Sequence, residues 1–232
     1  MKKKKKNGIV WLEFEQLTQF PEIIQAVFWN LPLGERDDPS HPLKALHLLG
    51  LTKGVKLTQC HQDRILVVED VAGLAHYSHY DAMITNQKGI GLLIRHADCQ
   101  AAVFYDPIQK VLGNVHCGWR GSVHGIYRKM IQKMVQEFGS NPKDITVSIG
   151  PSLGPNRAEF KHYEEELPEE FWSHQIRDNY FDFWAISKQQ LLDEGIEKEN
   201  LEIAGICTFE EGYSYRKDRE TPHHGTIVAL SN

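Results

Sequence analysis

His96, Asp98, Cys99, His116 and Arg120 crowd into one short stretch, and His61 lies upstream in Gln59-Cys60-His61-Gln62-Asp63. One thiolate and two imidazoles, from Cys99, His61 and His116, form the donor set of a three-ligand zinc site. A fourth position left to water makes such a site catalytic rather than structural. Water on that metal ionises near neutral pH and serves as nucleophile or base. The same residues allow a second reading, nucleophilic catalysis, in which Cys99 attacks, His116 takes its proton and a third group orients the imidazole, as in an amidase or deamidase. A third reading leaves Cys99 as a small buried apolar residue with unrelated histidines. The chain has no Cys-x-x-Cys pair, and the Cys99 to His116 spacing is not in itself a metal signature. Metal is the leading reading, but spacing leaves all three open.

Short apolar runs must position these groups. Gly91 to Ile94, Ala101 to Tyr105 and Val111 to Val115 predict three buried strands, with Asp106-Pro107 turning between the second and third. Cys99 then stands at a strand junction and His116 at a strand end, and both can point into one cavity. Beyond Cys117-Gly118-Trp119-Arg120-Gly121, the spacing of Ile126, Met130, Ile131, Met134, Val135 and Phe138 predicts an amphipathic helix starting near Ser122 or Val123. A Gly-rich turn entering a helix N-terminus, with Arg120 beside it, favours an anion such as phosphate. The plainer alternative is a strand-turn-helix with a surface arginine.

His61 falls where strand character breaks between two β-like segments of residues 55–69. Residues 81–85, 144–149, 201–207 and 226–230 predict further strands, and residues 42–49, 163–172 and 186–194 predict helices. Gly150 to Pro155 is a rigid loop that suits a cleft wall or a crossover. Strands and helices interleave, so the class is mixed α/β.

With 232 residues, 41% of them apolar, the chain is long enough for one sizeable core. The expected organisation is a basic disordered tail over residues 1–7 and a single catalytic domain over 8–232. Net charge is −5, and the one dense basic run, Lys2 to Lys6, lacks the aromatic interleaving of a nucleic-acid surface. No apolar run approaches the roughly eighteen residues of a membrane span, and no secretory core follows the lysines. Four scattered cysteines do not make a disulfide framework, so they are expected as thiols in the cytoplasm. No long apolar seam is visible, and a monomer is expected.

The motifs resemble, in order and over almost the whole chain, those of the YfiH-type proteins, called laccase-domain or multicopper polyphenol oxidoreductases and more recently purine nucleoside phosphorylases. They include Asn30-Leu31 with Asp37-Asp38-Pro39, Gln59-x-His61, Asp81-Ala82-x-x-Thr85 and His96-Ala97-Asp98-Cys99. Val115-His116-Cys117-Gly118-Trp119-Arg120-Gly121, residues 149–154, Cys207-Thr208 and Tyr213-Ser214-Tyr215-Arg216 follow. The resemblance implies zinc held by His61, Cys99 and His116, with copper reported for the family, and the same residues plus Arg120 as the catalytic set. It implies substrate or phosphate contacts at Arg120, Asn30 and Gly121. The implied fold is a four-layer α/β/β/α sandwich with a mixed sheet, distantly similar to the Cys-His toxin deamidases. The implied activity is phosphorolysis of adenosine, inosine and methylthioadenosine, with some adenosine deamination.

Several positions depart from the family's pattern. Gln25 to Trp29 replaces a Gly-rich, Arg-containing segment, Asn156 replaces a cysteine, and Gln62 a glycine. His96 replaces a threonine, and His223-His224-Gly225 stands where Gly-Arg is expected. The metal ligands persist while loops near the substrate differ. A Cys-His amide hydrolase and a zinc-binding relative without turnover are therefore the alternatives to the phosphorylase.

Overall fold

In the computed structural model, which describes residues 1–34 and 37–232, two β-sheets stack face to face. The first sheet is seven-stranded, in the order β1 (Lys2–Lys6), β2 (Ile9–Glu13), β3 (Ile23–Phe28), β15 (His224–Leu230), β8 (Ile90–His96), β4 (Lys53–Thr58) and β6 (Leu74–Ser78). The second is six-stranded, in the order β14 (Leu201–Ile203), β11 (Thr146–Ile149), β9 (Gln100–Asp106), β10 (Val111–Cys117), β7 (Ala82–Thr85) and β5 (Ile65–Val67). Both sheets are mixed, since β4 runs parallel to β6 and β8, and β11 parallel to β14, among antiparallel neighbours.

Three apolar layers hold the stack. Val27, Val55, Leu92 and Ile94 of the first sheet meet Met83, Val103, Tyr105 and Leu112 of the second. Helix α1 (His41–Leu48) lays Ala45 and Leu46 on Phe28, Leu93 and Ile227, on the outer side of the first sheet. Helix α3 (Ile126–Phe138) buries Ile126, Met130, Ile131 and Met134 against Ala102, Phe104 and Val115, on the outer side of the second. Each of the larger side chains, Val, Leu, Ile, Met or Phe, contributes about 1.5–3 kcal/mol by leaving water. The α/β/β/α order expected from the sequence results. Because β8, β9 and β10 are covered on both faces, they read as unbroken apolar runs instead of alternating ones. Asn114 is one of the polar residues between the sheets, its Nδ2 donating to the carbonyls of Leu92 and Thr226 at 2.9 and 3.0 Å.

Three expectations are corrected. Lys2–Lys6 is an edge strand, not a disordered tail, because Asn7 and Gly8 both take positive φ (51° and 80°) and form a two-residue hairpin turn onto β2. All five lysine side chains remain exposed, which blunts the sheet edge. The helix expected from Ser122 or Val123 is two helices. A short one, α2 (Trp119–Val123), stops before Gly125, which is left-handed at φ 70°, and α3 starts after it. The single helix expected over 163–172 is split at Leu167-Pro168 into α4 (Tyr163–Glu166) and α5 (Glu169–Trp172), since proline cannot continue the first. A ribbon of β12 (Gln175–Arg177) and β13 (Tyr180–Phe181), then α6 (Phe183–Asp193) and α7 (Thr208–Glu211), complete the chain.

Candidate metal centre

Two loops meet where the chain changes sheets. One, residues 59–64, leaves β4 in the first sheet for β5 in the second, and the other, residues 97–99, leaves β8 for β9. The Gln59 side chain holds them side by side, donating to the Arg95 carbonyl at 2.8 Å and accepting from the Arg95 N–H at 2.9 Å. His61 and Asp98, one on each loop, both take the left-handed conformation (φ 59° and 83°). His116 arrives at the end of β10, where the register Val115 to Ala82 sets it beside Asp81, and the His116 N–H donates to the Asp81 carbonyl at 2.7 Å.

The ligand atoms of His61, Cys99 and His116 lie within 4.8 Å of one another, with His61 exposed, Cys99 half-buried and His116 buried. Gly118 makes room for them. A Cβ there would stand 2.9 Å from Cys99 Sγ and 3.3 Å from His61 Cδ2. Gly118→Ala is accordingly expected to displace the thiol, cost about 1–3 kcal/mol in stability and weaken the hold of the three residues on a metal ion, measured by thermal unfolding and metal analysis of the purified variant.

Asp81 organises the site and was not singled out from the sequence as a functional residue. Its buried carboxylate accepts from the backbone N–H groups of Cys60 (3.2 Å), His61 (2.9 Å) and Gln62 (2.8 Å), from Cys60 Sγ (3.1 Å) and from His116 Nδ1 (2.9 Å). The left-handed turn at His61 is what lets three successive N–H groups converge on one carboxylate. Burial alone would raise the Asp81 carboxyl, but His116 and these loop donors hold it well below the usual carboxylate range. The signal for Asp81 is the strand register, which aligns it with His116 across 35 residues.

Charge within the trio is set by the same contacts. Burial would raise the Cys99 thiol, yet the His116 cation and hydrogen bonds from both imidazoles bring it down to about 6. Burial likewise opposes charge on His116, yet the Cys99 thiolate and the Asp81 carboxylate raise it to about 9. A soft thiolate and two imidazoles fit a borderline-soft ion such as zinc. Asp81 on Nδ1 leaves Nε2 of His116 as the ligand atom, the usual carboxylate-histidine-metal arrangement.

Arg120 lies within α2, exposed, its guanidinium 4.1 Å above the Trp119 ring. Gly121 is buried beneath the histidine loop, its Cβ position 3.4 Å from the Gln62 carbonyl. Both ends of the Asn30 amide are engaged by backbone, accepting from Val10 N–H at 2.6 Å and donating to the Gly8 carbonyl at 3.0 Å. His96 is buried beneath the site, with Nε2 3.0 Å from Thr226 Oγ1.

Residues 28–231 match the family described as multi-copper polyphenol oxidoreductase laccase. The chain belongs to that family. Within this laccase family, a Clostridium acetobutylicum protein named purine nucleoside phosphorylase is 33% identical over 173 residues, covering 70% of each chain. Purine nucleoside phosphorylase YlmD of Bacillus subtilis is 31% identical over 150 residues, 60% of this chain and 54% of that one. The match spans about half the length of the first curated relatives, 54% and 55%. The crystal structure of Bacillus licheniformis YfiH shares the fold, with a TM-score of 0.83 at 24% identity and 96% coverage of both chains.

Proposed function

We propose that the chain is a zinc-dependent purine nucleoside phosphorylase. It takes adenosine, inosine or methylthioadenosine with phosphate to free base and sugar 1-phosphate, and adenosine deamination accompanies it. The observation that carries the reading is the convergence of His61, Cys99 and His116 under Asp81, in a chain whose relatives are named purine nucleoside phosphorylases. These three residues would hold zinc, which supplies Lewis acidity and a water that ionises near neutral pH. In phosphorolysis a phosphate oxygen bonds to the anomeric carbon while the carbon to base-nitrogen bond breaks. The electron pair leaves on the base, which then takes a proton. Arg120, over Trp119 and two residues past the Gly118 turn that makes room for Cys99 Sγ, supplies a cation for the incoming anion.

Zinc is favoured over a copper cluster because, among the described residues, one group of three ligands is assembled. The buried imidazole of His224 is committed elsewhere, its Nδ1 3.2 Å from the Phe28 carbonyl and its Nε2 accepting from the Tyr213 N–H at 2.8 Å. The deciding experiment is chromatography of the three nucleosides with zinc-loaded protein, with and without phosphate, with Cys99→Ala as control. Free base appears with phosphate and wild type only. Release without phosphate, or an unimpaired Cys99→Ala variant, rejects the proposal.

One observation favours a second reading. Asp81, His116 and Cys99 stand in the order of an orienting acid, a base and a nucleophilic thiol, which suits an amide hydrolase. That activity survives chelation, whereas the proposed phosphorylase does not.

A further inference from the structure

We infer that Arg216 is a second anion-binding residue of this site, acting with Arg120 from one aromatic platform to take a phosphate dianion. This rests on the phosphorylase reading and extends it to a residue outside the metal-binding loops.

Asp98 ties Arg216 to the centre. The residue before Cys99 holds a strained left-handed backbone (φ 83°), and its half-buried carboxylate accepts from Thr208 Oγ1 at 2.8 Å and from the Arg216 N–H at 2.6 Å. The Asp98 carbonyl accepts from the Leu153 N–H at 2.8 Å, so the 150–155 loop, α7 and the Tyr213 to Arg216 segment are all pinned to the residue next to the thiol. The Arg216 side chain then reaches over Phe160, its guanidinium 5.9 Å from the ring, steadied by Nη1 donating to the Glu159 carbonyl at 3.0 Å. Phe160 packs edge-on against Trp119 at 5.7 Å, and Trp119 carries Arg120. Two guanidiniums thus sit on adjoining rings beside the turn that makes room for Cys99 Sγ.

Neither guanidinium has a carboxylate partner among the described residues. Arg128 and Arg157, by contrast, are paired with Glu194 and Glu210 at 2.6 Å. The chain carries a net charge of −5, so an anionic substrate must be drawn by a local cluster of this kind. A guanidinium placed over an aromatic ring, with at most one of its five N–H groups spent on a backbone carbonyl, has others left for bidentate contact with phosphate oxygens, which lysine cannot reproduce.

The test is equilibrium binding of inorganic phosphate to the zinc-loaded protein by calorimetry, followed by KM for phosphate and for nucleoside. Arg216→Ala keeps the N–H that bonds Asp98 and removes the guanidinium alone. It is expected to weaken phosphate binding by roughly tenfold to a hundredfold, with KM for phosphate rising and KM for nucleoside unchanged. Arg216→Lys is expected to recover part of the loss. Arg128→Ala, which removes the same charge from α3, is expected to bind phosphate as wild type does. Equal phosphate affinity in wild type and Arg216→Ala overturns the inference, as does a wild type that binds no phosphate. Intact phosphate binding that is sensitive to Arg216, without nucleoside cleavage, supports the inference and rejects the phosphorylase.

Discussion

Replacing Asp81 with alanine is expected to weaken zinc binding by about 10–100-fold and to destabilise the metal-free protein by about 3–5 kcal/mol. The size follows from what the carboxylate serves. It is fully buried, and it accepts from three loop N–H groups, a thiol and Nδ1 of the His116 imidazole. Alanine strands the loop donors and leaves the buried His116 imidazolium with the Cys99 thiolate as its one remaining counter-charge among the described residues. Asp81→Asn separates charge from shape, because an amide of the same size offers one oxygen to the loop and turns an NH2 toward groups that are themselves donors. It too is expected to lose zinc affinity, read by competition with a chromophoric chelator. Wild-type affinity in Asp81→Asn would show that the carboxylate does not orient His116.

The pH dependence has a definite sign. Asp81 titrates lower in the folded state than its unfolded value of about 3.9, so its contribution is fully present above that pH and is lost as the pH falls toward the folded value. The stability gap between wild type and Asp81→Asn should narrow in acid, and narrow again as pH rises toward about 9, where wild-type His116 loses the proton that Asp81 helps it keep, which urea melts at several pH values measure directly.

Much of this site was legible as residue types and little of it as contacts. The strands β8, β9 and β10 are visible because burial on both faces demands continuous apolar runs, and the three ligands stand out by chemistry. The edge strands β1 and β6 are not visible that way. Lys2–Lys6 and Leu74–Ser78 are held by backbone pairing at the ends of the first sheet and bury little side chain, so no apolar pattern marks them. The period of α3 was plain, but its start depended on the left-handed Gly125. Asp81 and Arg216 owe their roles to register and loop conformation, joining residues 35 and 118 positions apart. Such pairings exist only once both sheets have formed.

In protein stripped of metal by a chelator, iodoacetamide is expected to label Cys99 ahead of Cys60 and Cys117 at pH 7. With its thiol brought down to about 6, Cys99 is mostly thiolate at that pH. Burial and the Asp81 hydrogen bond push Cys60 up to about 11, and burial pushes the Cys117 thiol up further still. The more basic Cys60 thiolate is the better nucleophile, which recovers only about half of that difference on a logarithmic scale, so Cys99 should still react roughly a hundredfold faster than Cys60. Unfolding melts are not expected to reveal the ion pair at neutral pH. The lowered thiol stabilises above its unfolded value of about 8.5 and loses that contribution as pH falls through the folded value. The raised imidazole stabilises below its unfolded value of about 6.5 and loses it as pH rises through the folded value. With folded values of about 6 and about 9, folded and unfolded pairs each hold one proton in between, so the slopes cancel. Labelling does see the pair, because His116→Ala removes the cation, burial then prevails, and Cys99 should become slow at pH 7. Zinc should protect the thiol and release about one proton per ion from His116 near pH 7.5. Labelling that zinc does not slow, with turnover that a chelator does not stop, would assign Cys99, His116 and Asp81 to a hydrolase instead.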